Sequence, residues 1–238
     1  KQGYTWVVDV DIKSYFDTIP HEQLTERIRA KVSDSAVLEL VEAFLHQGVL
    51  DGMESWTPEE GTPQGAVLSP LLANIYLDPL DQVMYDGGYE MVRYADDFVI
   101  LCRSAQEAQE ALKIVRLWAD EAHLTLHPEK TRIVDATQRG GFDFLGYHFE
   151  RGMKWPRRKS VKKLRDKIRR QTRRTNGHSM MAIIDSLNRT LQGWFEYFKH
   201  SHRNTFGHLD SWIRMRLRSI LRKRHKKKGR GRGADHQR

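Results

Sequence analysis

Met91-Val92-Arg93-Tyr94-Ala95-Asp96-Asp97-Phe98-Val99-Ile100-Leu101 sets two adjacent carboxylates between two short apolar, β-prone runs. The runs leave room only for a tight turn, so the stretch predicts a hairpin that carries both acids at its tip. Like charges held side by side repel unless a cation compensates them, and a divalent metal is the natural compensator. Oxygen ligands without His or Cys point to Mg²⁺. An isolated Asp-Asp pair also reads as a solvated turn, so the surrounding chain has to decide.

A second acid cluster stands upstream, in Trp6-Val7-Val8-Asp9-Val10-Asp11-Ile12-Lys13-Ser14-Tyr15-Phe16-Asp17. Alternation over residues 7–12 predicts a strand with Asp9 and Asp11 on one face. A turn follows, and Pro20 suits the first turn of a helix from His21 onward. Asp9 reads as an ordinary hydrogen-bonded strand residue. Asp11 sits where the strand turns, and a carboxylate there beside a two-carboxylate hairpin is a layout for two metals about 4 Å apart. Such a pair activates an attacking hydroxyl and stabilises a leaving pyrophosphate.

Further along, Gly61-Thr62-Pro63-Gln64-Gly65 is a turn-rich loop, and Ser69-Pro70 reads as an N-cap with Pro at the first helical position. A loop ending at a helix N-terminus offers free backbone amides to phosphate or template. Ser104-Ala105-Gln106-Glu107 is a capping box opening a helix with apolar positions at Ala108, Ala111, Leu112, Val115, Trp118, Ala119 and Ala122. Phe142 to Phe149 alternates as a strand hairpin closed near Arg151-Gly152. The order strand, helix, hairpin, helix, strand predicts an α+β domain, an antiparallel sheet backed by helices.

Charge divides the chain. Residues 1–153 hold 13 Lys and Arg against 26 Asp and Glu, a net of −13, whereas residues 154–238 hold 27 against 5, a net of +22. An acidic body with a basic C-terminal part argues for a polyphosphate partner gripped by that part. The flip and Pro156 mark a boundary, giving domains at 1–153 and 154–228 and a basic tail at 229–238 expected to be disordered without nucleic acid. In the second domain Val161, Leu164 and Ile168 form a sparse apolar stripe. Leu187, Leu191, Trp194, Phe195 and Phe198, then Leu209, Ile213, Leu217, Ile220 and Leu221, form richer ones, so a small helical bundle with these residues as core is expected. Arg158, Lys162, Lys163, Arg169, Arg170, Arg222, Lys223 and Arg224 are the candidates for phosphate contact. The single cysteine, Cys102, rules out a disulfide framework or Cys-based zinc site within this sequence. It fits a reducing cytoplasm. No apolar run is long enough to cross a bilayer, so no membrane partner is expected.

Four motifs, Asp11-Ile12-Lys13-Ser14-Tyr15-Phe16-Asp17, Gly61 to Ile75, Tyr94-Ala95-Asp96-Asp97 and Phe144-Leu145-Gly146-Tyr147, occur in an order that resembles the palm of reverse transcriptases, most of all those encoded by group II introns. Residues 187–228, with Leu187-Asn188-Arg189, Gly193-Trp194-Phe195-Glu196-Tyr197-Phe198 and Leu209-Asp210-Ser211-Trp212-Ile213, resemble the thumb or maturase (X) domain of the same family. The resemblance implies Asp11, Asp96 and Asp97 as catalytic, metal-binding carboxylates around two Mg²⁺ ions, with Mn²⁺ as a substitute and the first of the paired acids as the chief ligand. It implies Phe16 as a steric gate against the 2′-hydroxyl, Gln64 and Gly65 as contacts to the incoming nucleotide and template base, and Lys130 as a cation near the triphosphate. Leu145 and Gly146 would grip the primer end. Ala66 stands where the family commonly has a second Gly, which is tolerable only if its backbone is not left-handed.

The implied activity is copying an RNA template from a DNA primer with dNTPs, joined to binding and splicing of the host intron RNA. The family also places a fingers region ahead of its first catalytic Asp. Only ten residues precede Asp11 in this sequence, so the expectation is either a truncated or split product or fingers supplied by another chain. Three other readings stand beside this one: a splicing maturase whose palm is scaffold, an RNA-dependent RNA polymerase, and a reverse transcriptase serving CRISPR spacer acquisition. Phe16 speaks against the RNA polymerase. Oligomeric state is not readable from the sequence.

Overall fold

The computed structural model describes residues 3–47, 49–51, 54–56, 60–63 and 65–225. Gln64 and the tail at 229–238 lie outside the described residues. The chain divides into two compact units, Lys1–Gln138 and Arg139–Arg238.

In the first unit the elements run β1 (Trp6–Asp11), a single 3₁₀ turn (Tyr15–Asp17), α1 (His21–Arg29), α2 (Ser35–Leu45), the short hairpin β2 (Val49–Asp51) and β3 (Glu54–Trp56), α3 (Ser69–Asp86), β4 (Glu90–Tyr94), β5 (Asp97–Cys102), α4 (Ala105–Glu121) and β6 (Arg132–Asp135). Four strands form an antiparallel sheet in the order β4-β5-β1-β6. Register decides what each face carries. Val8 pairs with Ile100 and Val10 with Phe98, and all four are buried in one core with α3 and α4 residues. The intervening positions, Asp9 opposite Val99 and Asp11 opposite Asp97, take the other face. A period of two thus sends Val8 and Val10 to the helices and Asp9 and Asp11 away from them.

The helix on residues 105–121 forms as its capping box predicts. Ser104 Oγ accepts the Glu107 amide at 3.1 Å, the Glu107 carboxylate accepts the Arg103 amide at 2.6 Å, and the seven apolar positions expected to face the core are all buried, whereas Leu117 is exposed. Ser69 does not cap α3: Leu68 holds that position, and the Ser69 hydroxyl instead donates to the Pro63 carbonyl at 2.6 Å. The predicted cap is therefore a tie between helix and loop.

The second unit holds β7 (Phe142–Phe144), β8 (Tyr147–Glu150) and β9 (Met153–Pro156), then α5 (Arg158–Gln171), α6 (Met180–Phe198) and α7 (Asn204–Arg224). Two turns shape its sheet, not the one expected at Arg151-Gly152. Leu145-Gly146, at φ 46° and 81°, closes β7 on β8, and Arg151-Gly152, at φ 51° and 71°, closes β8 on β9. Paired positive φ values give the twist that two-residue hairpins need. Hydrogen bonds from the Arg157 amide to the Gly146 carbonyl and from the His202 amide to the Lys154 carbonyl tie this sheet to the helices. The division between the two units accordingly falls ahead of the charge boundary at 153.

Leu164, Ile168, Ile183, Leu187, Leu209, Ile213 and Ile220 form the helical core. Phe195 and Leu221, expected in it, are 47% and 39% exposed. Phe195 packs edge-on against Phe206 with ring centroids 5.2 Å apart. Among the described residues no helix is long and apolar enough to cross a membrane.

Candidate active site

β1 ends where its antiparallel neighbour β5 begins, and the last residue of β1, Asp11, is directly paired with the first of β5, Asp97. Beyond β1 the chain bends through Ser14, at φ 49°, into the 3₁₀ turn, which carries Phe16 back over the strand end. Between β4 and β5 only Ala95 and Asp96 remain as the turn, with Ala95 at φ 56°. The predicted hairpin is formed, with Asp96 in the turn and Asp97 as the first strand residue.

A cavity of about 480 Å³ opens at this end of the sheet, lined among others by Asp11, Phe16, Asp96, His127 and Lys130. The structure therefore gathers Asp11, Asp96, the gate candidate and the triphosphate-cation candidate around one space. Asp97 shares the strand end but does not line the cavity. Asp9, two residues back, pairs with Arg132 at 3.4 Å, and burial pushes its carboxyl pKa up despite that cation. This is the structural pairing that its strand position suggested.

The segment between α4 and β6 completes the site from behind. The Lys13 amide donates to the Thr125 carbonyl at 2.8 Å, and the His127 amide donates to the Asp11 carbonyl at 2.8 Å. The chain then loops out through Pro128 and returns, with the Thr131 amide on the His127 carbonyl and the Thr131 hydroxyl on the Asp11 carbonyl. The loop swings Lys130 inward, and its Nζ stands 3.0 Å from Asp11 Oδ2. His127 was not picked out from the sequence; its place between Leu126 and Pro128 gives no chemical signal.

Gly61 and Thr62 dock on the 3₁₀ turn and the residues just after it. The Thr62 amide donates to the Phe16 carbonyl at 2.6 Å and the Gly61 amide to the Ile19 carbonyl at 2.8 Å. His21, buried at the start of α1, donates from Nε2 to the Gly61 carbonyl at 2.6 Å. Gly61, at φ 84°, has no space for a side chain: a Cβ would lie 2.8 Å from the backbone of Phe16 and Asp17. Gly65 is exposed with φ 85°, and Ala66 is not in the left-handed region, so its methyl is compatible with the loop. The sequence signal for His21 is slight, because its partner is forty residues away.

Among the described residues no group of three or more His, Cys, Asp or Glu gathers as a metal cage. Asp11 and Asp96, two carboxylates on the wall of one cavity, do fit a hydrated Mg²⁺, which binds through one or two carboxylates and completes its shell with water and substrate phosphates.

In the second unit Leu145 and Gly146 form the β7–β8 turn. The Leu145 carbonyl accepts from the Tyr197 hydroxyl at 2.7 Å, and the Gly146 carbonyl accepts from the Arg157 amide at 2.9 Å and the Ser160 hydroxyl at 3.1 Å. Arg158, Lys162, Lys163, Arg169 and Arg170 are exposed along α5, Arg169 in an ion pair with Asp166 at 2.6 Å. Arg222, Lys223 and Arg224 occupy the last turn of α7, where cations suit the helix dipole, and Arg224 donates to the His178 carbonyl.

Comparison with known proteins gives two family matches, the first of which runs past the division between the units. Residues 1–149 match the reverse transcriptase (RNA-dependent DNA polymerase) family, and residues 161–237 match the group II intron, maturase-specific domain. Protein YkfC of Escherichia coli (strain K12) is 28% identical over an alignment of 181 residues that covers 61% of this chain and 47% of that protein. Group II intron-encoded protein LtrA of Lactococcus lactis subsp. cremoris is 45% identical over 80 residues, 34% of this chain and 13% of that protein. The matches thus span less than half the length of these relatives. Telomerase from Candida albicans, solved in complex with the TWJ fragment of telomeric RNA, superposes with a TM-score of 0.54 over 90% of this chain and 44% of its own, at 13% identity, a likeness of fold.

Proposed function

The chain belongs to the reverse transcriptase family and carries a group II intron maturase domain, and from that premise we propose that it copies an RNA template into DNA by metal-assisted nucleotidyl transfer from dNTPs to a primer 3′-hydroxyl. The observation that supports this most is the single cavity shared by Asp11, Asp96, Phe16 and Lys130. Asp11 and Asp96 would hold divalent cations, two Mg²⁺ in the full reading with Mn²⁺ as a substitute. Bound there, they would supply a more acidic primer hydroxyl and neutralise charge on the leaving pyrophosphate.

The protein's own groups do the rest. Phe16 offers a 2′-hydroxyl neither room nor a partner, which selects deoxynucleotides. The Gly61–Gly65 loop, fixed to Phe16 and His21, presents backbone to the nucleotide and template. The Lys130 ammonium neutralises Asp11 in the resting site and is within reach of the triphosphate when that carboxylate takes a cation, a position from which it can give a proton to pyrophosphate. The basic α5 and the end of α7 hold RNA phosphates, the host intron RNA among them, which is the splicing half of the proposal.

The test is single-nucleotide extension of a DNA primer on an RNA template by the full chain with Mg²⁺, beside Asp96→Ala. Metal-dependent dNTP addition destroyed by that substitution supports the proposal. A chain that binds RNA yet extends no primer in Mg²⁺ or Mn²⁺ returns it to a splicing role alone.

A further inference from the structure

Arg93 breaks the polarity pattern of its own strand. Register pairs it with Phe98 and pairs Met91 with Ile100, the phase that faces the helices. Its side chain is only 13% exposed. A cation there carries a large desolvation cost unless its donors are all satisfied, and they are met with unusual completeness. Nε donates to Asp81 Oδ1 at 2.7 Å, Nη2 donates to Asp81 Oδ2, and Nη1 donates to Asn74 Oδ1 at 2.8 Å and to the Ala95 carbonyl at 3.0 Å. Asn74 and Asp81 lie two turns apart on α3, so one helix face presents both acceptors. The Asp81 hydrogen bonds hold the guanidinium charged against its burial.

The hydrogen bond to Ala95 concerns the site. Ala95 sits at φ 56°, a conformation that costs a residue with a Cβ. It is one of only two residues in the turn, and the other, Asp96, stands on the cavity wall. A left-handed alanine persists where its surroundings over-determine it, and here the Arg93 guanidinium grips its carbonyl while anchored to α3. We infer that Arg93 is a positioning residue for the metal-facing turn, joining the Ala95 carbonyl to Asn74 and Asp81 and so fixing where the Asp96 carboxylate stands. The importance of Asp96 rests on the polymerase reading. The anchoring itself does not.

Arg93→Lys separates geometry from charge, since an ammonium can still neutralise Asp81 but lacks the planar fork that reaches Asn74 and Ala95 together. Asn74→Ala is the milder companion, removing one neutral acceptor. Both are made in the full chain and read in two ways. Amide hydrogen exchange should quicken by about tenfold or more at residues 94–98 while residues 6–10 keep their protection. In primer extension kcat should fall by about tenfold to a hundredfold with little change in the dNTP KM, and the Mg²⁺ midpoint should rise. Exchange that quickens evenly through the first unit, or does not change at residues 94–98, overturns the inference. If the unaltered chain extends no primer, the proposed function fails, and exchange alone still decides the role of Arg93.

Discussion

Asp11 on β1 stands directly opposite Asp97 on β5, on the sheet face turned away from the helices, and the Lys130 ammonium lies 3.0 Å from Asp11 Oδ2. Opposed like charges cost a sheet roughly 0.2–1 kcal/mol. The ion pair returns little, because Asp11 and Lys130 are 40% and 59% exposed and water screens them. The arrangement gains the fold little, as the cation-binding role proposed for Asp11 requires. Asp11→Asn should therefore leave stability in urea within about 1 kcal/mol of the unaltered chain, unchanged or higher, while abolishing extension. A clear loss of stability would make Asp11 a structural residue.

Phe16 packs edge-on with Tyr15, ring centroids 5.6 Å apart, and lines the cavity. Phe16→Ala should open the cavity there and relax sugar selection by about tenfold to a hundredfold. Paired kcat/KM values for a ribonucleotide and its deoxy counterpart check this. An unchanged ratio denies Phe16 the gate.

Gly61 lies under the Phe16 and Asp17 backbone, with no space for a Cβ and φ at 84°. Gly61→Ala should destabilise the first unit by about 1–3 kcal/mol through strain, and the displaced loop should raise the dNTP KM more than it lowers kcat. Denaturant unfolding and steady-state extension measure the two effects.

The exposed cations of α5 make a separate prediction about RNA. Replacing Lys162, Lys163 and Arg170 with Ala should weaken RNA binding and flatten its salt dependence, by about 0.7 in the slope of log K against log salt for each single-strand phosphate that is no longer neutralised. Filter binding across a salt series reads the slope, and an unaltered slope removes these residues from the interface.

Much of the site was legible because it follows backbone periods. A two-residue period placed Asp11 on the face opposite Val8 and Val10, and the short spacing of apolar runs left Asp96 nowhere but a turn. The capping box at Ser104 worked because all its partners lie within four residues. Legibility stopped where a partner is distant. Ser69 has the look of a cap, but its hydroxyl goes to Pro63. His21 gives no hint of the Gly61 carbonyl forty residues on. Arg93 sits in a run that reads only as β-prone, and nothing near it in sequence points to Asp81 and Asn74 on α3. Arg151-Gly152 and Leu145-Gly146 are both turn dipeptides, and the second lies hidden inside the apolar alternation of Phe142 to Phe149, which reads as one unbroken strand.

Everything proposed for this site depends on Asp11 and Asp96 sharing a divalent cation, and iron(II) tests that without reference to activity. With Fe²⁺ in place of Mg²⁺, ascorbate and peroxide cut backbone close to the bound metal. Breaks should cluster near residue 11 and near residues 95–97, be competed by Mg²⁺ and disappear in Asp96→Ala. Cleavage at only one of those places, or a pattern that Asp96→Ala leaves unchanged, would contradict a shared cation.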